Sequence, residues 1–344
     1  MITFEEALHQ TENQTRSLLL GNGFSIAASR KFSYRSLREC TDFSSMSRMK
    51  NLFDFYDTND FEKILMALTY AYDVNSILEH IQEAENIKSY RVELITNFIN
   101  TLQDIHPGNL HSGGPDGCMT REQFETNRIF LNHFARESIQ GCIFTLNYDL
   151  LLYWSLLEGG LTRLLRDSFS YNNMYNHDYT PQNDCTTYEN STNLFYLHGA
   201  LHLRTDLYND TYKIIDENLL SRLESDLNNN NNNIFPTIVF EETTEEKIQK
   251  ILNNNYLTVA YNTLQNVCGS LFTYGFSFNQ NGQHIIDAIV NSRLENLYVG
   301  LYGDEHSGEN RNIHGICGGI YEQRMLMRIP ISIEYFRSDH VSPW

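Results

Sequence analysis

Asn147 and Asp149 stand two positions apart in Thr145-Leu-Asn-Tyr-Asp, directly after an apolar run. An uncharged amide can orient water, and an amide beside a carboxylate at a strand end can face a bound nucleotide. Capping of the following helix is the competing use, because Asn and Asp satisfy free amides at helix starts. His198, followed by Gly199, sets an imidazole that exchanges protons near neutral pH beside a residue that leaves room for a ligand. His202 lies close by as a decoy, and a lone histidine is more often packed or exposed than catalytic.

Two glycine loops accompany these side chains. Gly21-Asn22-Gly23-Phe24-Ser25 forms a tight turn whose backbone amides can approach a pyrophosphate, with the next helix's amino end adding positive partial charge. Ile26 stands where a third glycine would complete G-x-G-x-x-G, which disfavours an ordinary dehydrogenase. Tyr274-Gly275-Phe276-Ser277-Phe278 offers a second close approach to ribose or phosphate, with Ser277 as the polar contact. Each loop, taken alone, is equally well a structural turn.

All four clusters need strands behind them. Ser17 to Leu20, Cys142 to Leu146, Asn193 to Leu197 and Leu271 to Tyr274 are short apolar runs ending at the polar tips. Ile238 to Phe240 is a weaker strand candidate, Leu297 to Tyr302 another, and Ile331 to Phe336 reads as an edge strand. Helical spacing follows the tips at Phe24 to Arg30, Leu150 to Leu157 and Gln283 to Asn291. Strands alternating with helices predict an α/β fold, a Rossmann-like, mostly parallel sheet flanked by helices. From about Asn51 to Glu137 the apolar positions keep a helical period, so 51–137 reads as a helical insertion within one domain spanning 1–344. Ser170 to Thr192, rich in Tyr, Asn and Asp, is poorly patterned, and Asn228 to Asn233 reads as an exposed loop tip.

Composition narrows the partners. With 25 Lys+Arg against 43 Asp+Glu the formal charge is −18, which repels phosphate backbones, so nucleic acid is not expected as a partner. The first residues do not resemble a secretory signal, and no apolar run approaches the roughly 18 residues of a membrane span, so a cytoplasmic protein without a membrane contact is expected. The six cysteines include no C-x-x-C pair, and no metal site is expected.

In order, the pieces G-x-G-x-S, T-x-N-x-D, H-G and G-x-S resemble the sirtuin family. The fuller runs Leu18-Leu-Leu-Gly-Asn-Gly-Phe-Ser, Thr145-Leu-Asn-Tyr-Asp-Leu-Leu-Leu-Tyr-Trp and Leu194-Phe-Tyr-Leu-His-Gly-Ala-Leu-His resemble its bacterial Sir2-like branch of antiphage defence effectors in particular. The resemblance implies NAD as the substrate. Gly21, Gly23 and Ser25, with Asn22, would hold the phosphates, and Asn147 would orient water or the ribose. His198 would contact the ribose hydroxyls, Asp149 would support the nicotinamide-ribose end, Thr145 would be a further NAD-binding residue, and Gly275 and Ser277 would face the adenosine half. The paired cysteines that zinc-dependent deacylases of this family carry after H-G are missing here. The resemblance therefore implies an NAD+ hydrolase releasing nicotinamide and ADP-ribose, an abortive-infection effector switched on by a regulatory protein partner or by homo-oligomerisation. A non-catalytic sensor of NAD or ADP-ribose and an ADP-ribosyltransferase are the alternatives.

Overall fold

Strand β1 (Arg16–Leu20) is buried along its whole length, as a strand covered by helices on both faces must be. The computed structural model describes residues 1–44, 46–111, 114, 117–135, 141–167, 169, 192–206, 210–215, 219–220, 236–240 and 243–344. Most of the Tyr-rich stretch (170–191) and the asparagine run lie outside those residues. Helix α1 (Phe4–Gln10) precedes β1 and is closed by a reciprocal Thr3–Glu6 capping box.

Between β1 and the next strand run α2 (Asn22–Ala28), α3 (Tyr34–Cys40), α4 (Ser47–Phe55), α5 (Phe61–Ile77), α6 (Ile81–Ile105) and α7 (Arg121–Asn132). Their starts are set by polar caps. Asp60 accepts the Glu62 amide at α5, and Thr120 with Gln123 forms a capping box at α7. Strand β2 (Cys142–Thr145), α8 (Leu151–Glu158), β3 (Leu165–Arg166), β4 (Thr192–Tyr196), β5 (Gly199–Thr205), β6 (Thr211–Lys213) and β7 (Pro236–Ile238) follow. The chain then runs through α9 (Thr244–Leu252), α10 (Asn255–Gln265), β8 (Cys268–Tyr274), α11 (Gln283–Asn291), β9 (Arg293–Leu301), α12 (Gly308–Leu326) and β10 (Ser332–Arg337).

The main sheet has the order β10-β9-β8-β1-β2-β4-β3 with parallel pairings throughout. This is the α/β, Rossmann-like architecture. The chain moves outward from β1 on one side and returns to build β8, β9 and β10 on the other, so strand order reverses between β1 and β8. Ligands of open α/β sheets bind at that reversal, outside the carboxyl ends of the strands. Register makes those ends level: Leu20 pairs with both Thr145 and Tyr274, and Thr145 with Tyr196.

The expected strand at Ile238 to Phe240 falls elsewhere. β7 ends at Ile238 and joins β5 and β6 in a separate antiparallel sheet of order β6-β5-β7. Gly199, at φ +73, turns the chain out of the main sheet immediately after His198, and a Cβ there would lie 1.9 Å from the Thr237 carbonyl oxygen. Ser332–Arg337 is the edge strand anticipated near the chain's end.

Apolar packing forms two clusters, one on the main sheet and one gathering the helices between β1 and β2. In the second, Phe98 lies 5.1 Å from Phe61 and 4.5 Å from Phe240, ring centre to ring centre. Among the described residues no helix is long and apolar enough to cross a membrane.

Candidate functional site

The two glycine loops meet at the strand-order reversal. Gly21 N donates to Tyr274 O at 2.9 Å and Gly23 N to Gly275 O at 3.1 Å. A Cβ on Gly21 would lie 2.5 Å from the Gly275 carbonyl oxygen, and one on Gly23 would lie 2.5 Å from Gly275 Cα. Gly275 itself sits at φ +68. The glycines therefore let two backbones touch each other, and two amides expected to face a ligand already donate within the protein. Asn22 anchors the start of α2, its Nδ2 donating to Phe32 O at 3.2 Å. Ser277 is exposed at the tip of the second loop, between the packed rings of Phe276 and Phe278.

Behind these loops a directed hydrogen-bond chain fixes Asn147. Its Nδ2 donates to Gly21 O at 3.0 Å and to Ser25 Oγ at 2.8 Å. The carbonyl acceptor determines which end of the amide points inward. Ser25, fully buried, passes its hydroxyl hydrogen to Asp149 Oδ2 at 2.5 Å, and Asp149 Oδ1 accepts Leu151 N at 2.9 Å at the start of α8. Thr145 Oγ1 accepts the Asn147 amide at 3.1 Å. Both amide hydrogens of Asn147 are thus committed, and Oδ1 is the atom left to accept from a water or a hydroxyl. Ser25 and Asp149 act as supports for Asn147, so the helix-capping use of Asp149 and its place in the site are one arrangement.

His198 stands on the neighbouring strand end and is tied to a residue that sequence reasoning missed. Its Nε2 lies 2.7 Å from Nε2 of His284, the second residue of α11. Burial, then repulsion from Lys247, pushes His284 down to about 3, while burial, His284 and Lys247 hold His198 well below the usual imidazole range. The Tyr148 ring lies 6.3 Å from that of His198 and bridges it to the Asn147 loop, its hydroxyl donating to Val239 O at 2.9 Å.

A second missed residue is His106, buried at the end of α6. Its Nδ1 contacts Pro107 O at 2.8 Å, and Leu150 N donates to its Nε2 at 2.9 Å. The carbonyl requires hydrogen on Nδ1, which leaves Nε2 to accept. Burial lowers its pKa, and the nearby Asp149 opposes the shift. No spacing rule pointed to His106 or His284, because each is a lone histidine in a turn-rich or helix-start segment. Among the described residues no group of three or more His, Cys, Asp and Glu is placed to hold a metal ion.

The structure thus unites Gly21, Gly23, Ser25, Thr145, Asn147, Asp149 and Gly275 in one bonded unit, with His198 beside it and Asn22 and Ser277 at its margins. The family model described as a domain of unknown function, DUF4917, matches residues 18–344. The chain belongs to the DUF4917 family. The match takes in every one of these residues. No curated protein matches this DUF4917 chain. A solved structure of a Sir2 mutant with a p53 peptide and NAD aligns over 93% of the chain and 100% of its own length, at 12% identity and a TM-score of 0.33. For this DUF4917 member the fold rests on its own strand order.

Proposed function

We propose that this DUF4917 chain is an NAD+ glycohydrolase that releases nicotinamide and ADP-ribose. The observation that carries the reading is the placement of Asn147 and His198 at level ends of adjacent parallel strands, beside the crevice where strand order reverses. The order of the four sequence motifs, which resembles that of bacterial Sir2-like proteins, supports NAD as the ligand.

In the proposed reaction the bond between ribose C1′ and the nicotinamide nitrogen breaks, and nicotinamide leaves as a neutral molecule with the bonding pair. Water adds its oxygen to C1′ and releases one proton to solvent. A cationic leaving group asks for stabilisation of an oxocarbenium-like centre more than for a strong acid. The neutral, acceptor Oδ1 of Asn147 suits that centre and an attacking water, while His198 contacts the ribose hydroxyls. Thr145, Ser25 and Asp149 hold Asn147 in place. Gly21, Asn22 and Gly23 border the pyrophosphate end, and Gly275 and Ser277 the adenosine half.

The proposed setting is abortive infection in antiphage defence, with a protein partner or self-assembly as the switch. The helical segment 51–137, an insertion in a single 1–344 domain on this reading, is the proposed contact surface. Tyr70, Val74, Ile77, Leu78 and Ile81 are exposed along its α5–α6 hairpin, which supports that assignment.

The test is nicotinamide release from NAD+ by the purified protein, alone and with lysate of phage-infected cells, beside Asn147→Ala and His198→Ala. Release abolished in both variants supports the hydrolase. Tight NAD binding without release in either condition replaces it with a sensor, and ADP-ribose left on polypeptide replaces it with a transferase.

A further inference from the structure

His198 and His284 face each other through Nε2 atoms 2.7 Å apart, both rings buried. Lys247 on α9 is the cation that acts on both rings, and it is itself bound to Glu62 of α5. With burial and Lys247 both opposing protonation, each ring is neutral near pH 7 and carries one N–H. A contact this short between two neutral rings needs one hydrogen between them, so one ring donates and the other accepts. The tautomers of the two residues are therefore coupled.

The environment of His284 decides which way round they stand. His284 Nδ1 is buried without a hydrogen-bond partner among the described residues. An unpaired buried N–H is rarer and costlier than an unpaired acceptor lone pair. His284 Nδ1 is therefore the bare nitrogen, and the ring's hydrogen sits on Nε2, directed at His198. The ring is held there from its backbone, where Tyr261 Oη donates to His284 O at 3.0 Å.

We propose that His284 is a positioning residue that fixes His198 as the Nδ1–H tautomer, so that His198 offers a ligand a hydrogen-bond donor and not a base. Its Nε2 is consumed by His284, and Nδ1–H is the group left to meet an acceptor oxygen such as that of a ribose hydroxyl. This refines the role of His198 in the proposed NAD site and rests on that reading for the identity of the ligand, though not for the tautomer.

The experiment is long-range proton–nitrogen correlation NMR on full-length protein labelled with 15N-histidine, with His198→Gln and His284→Gln spectra assigning the two rings. His198 is expected as Nδ1–H in the wild-type protein, unchanged in His284→Gln, which keeps a donor, and shifted toward Nε2–H in His284→Leu. In turnover, His284→Leu is expected to lose about tenfold or more in kcat/KM, by analogy with metal-ligating histidines that lose their outer hydrogen-bond partner, with His284→Gln recovering most of the loss. A wild-type His198 protonated on Nε2, or a His198 tautomer indifferent to His284→Leu, overturns the proposal. The spectra need no NAD turnover, so a protein that leaves NAD intact but shows the expected tautomers refutes the hydrolase and leaves the pairing standing.

Discussion

Lys247 Nζ lies 2.6 Å from Glu62 Oε2, joining α9 on the sheet side to the first turn of α5 in the helical segment. The ammonium is almost fully buried, and it also donates to Asn281 O at 2.9 Å, in the turn before α11. Asn281 in turn donates to Asp60 Oδ2 at 3.1 Å. Removing the lysine alone takes away the cation 2.6 Å from a largely buried carboxylate. Lys247→Met is expected to cost about 3–5 kcal/mol, and the double replacement Lys247→Met with Glu62→Leu to recover most of it. Urea unfolding of the two singles and the double measures the coupling. Equal, additive losses would show that the two side chains do not act as a pair.

The contact between the glycine loops gives a second expectation. A Cβ at position 275 would lie 2.5 Å from Gly23 Cα, on a backbone already in the left-handed region. Backbone atoms cannot yield as a flexible side chain can, so Gly275→Ala is expected to lose at least about 2 kcal/mol. Thermal melting reads the loss, and a variant as stable as wild type would mean that the loops stand further apart in solution.

His202 is buried against Tyr153, ring centres 4.5 Å apart, and neither ring nitrogen has a hydrogen-bond partner among the described residues. Burial first, then Lys213 and Arg204, holds its pKa well below the ordinary value. The folded protein therefore keeps His202 neutral while the unfolded chain takes up a proton near pH 6.5. The associated stability is present in full above about pH 6.5 and is lost as the pH falls from there toward the folded pKa. His202→Phe removes this dependence. Its advantage over wild type is expected to grow by about 2 kcal/mol between pH 7.5 and pH 5, measured by denaturant unfolding at both pH values. A constant difference would rule out a neutral, buried His202.

Replacing Asn147 by Asp tests the direction of the hydrogen-bond chain. The new carboxylate would face Gly21 O, also an acceptor, beside the Ser25–Asp149 pair. Asn147→Asp is therefore expected to be less stable at pH 7 than Asn147→Ala, by about 1–3 kcal/mol, and to narrow that gap as acid protonates it. For nicotinamide release, Asn147→Ala is expected to lose about 100-fold or more, followed by chromatography. A more stable Asn147→Asp would mean that the amide points the other way.

The strand ends were legible because an apolar run followed by a glycine or polar turn leaves a local trace. Leu18 to Gly23, Cys142 to Asp149 and Leu271 to Ser277 each carry it, and parallel pairing brings them level. Other features depend on distant residues. His106 reaches Leu150 across 44 positions and His284 reaches His198 across 86, and no local pattern encodes either contact. The sequence left the role of the glycines open. Gly21 and Gly23 suit a pyrophosphate turn and a backbone contact equally well, and only the position of Gly275 shows that the contact is made. The second sheet was hidden because β4 and β5 run on through Leu197 and His198 as almost continuous apolar sequence, with the turn marked by Gly199 alone.

His106 ties the helical segment to the loop that carries Asn147. Helix α6 has 25 residues, a rod of about 37 Å, and the imidazole at its end carries the Leu150 amide one residue from Asp149. From that amide the bonds continue to the Asp149 carboxylate, on which Ser25 and Asn147 hang. One long helix thus ends on the loop that carries Asn147 and begins at the exposed hairpin, so a single rigid element spans the distance between the two.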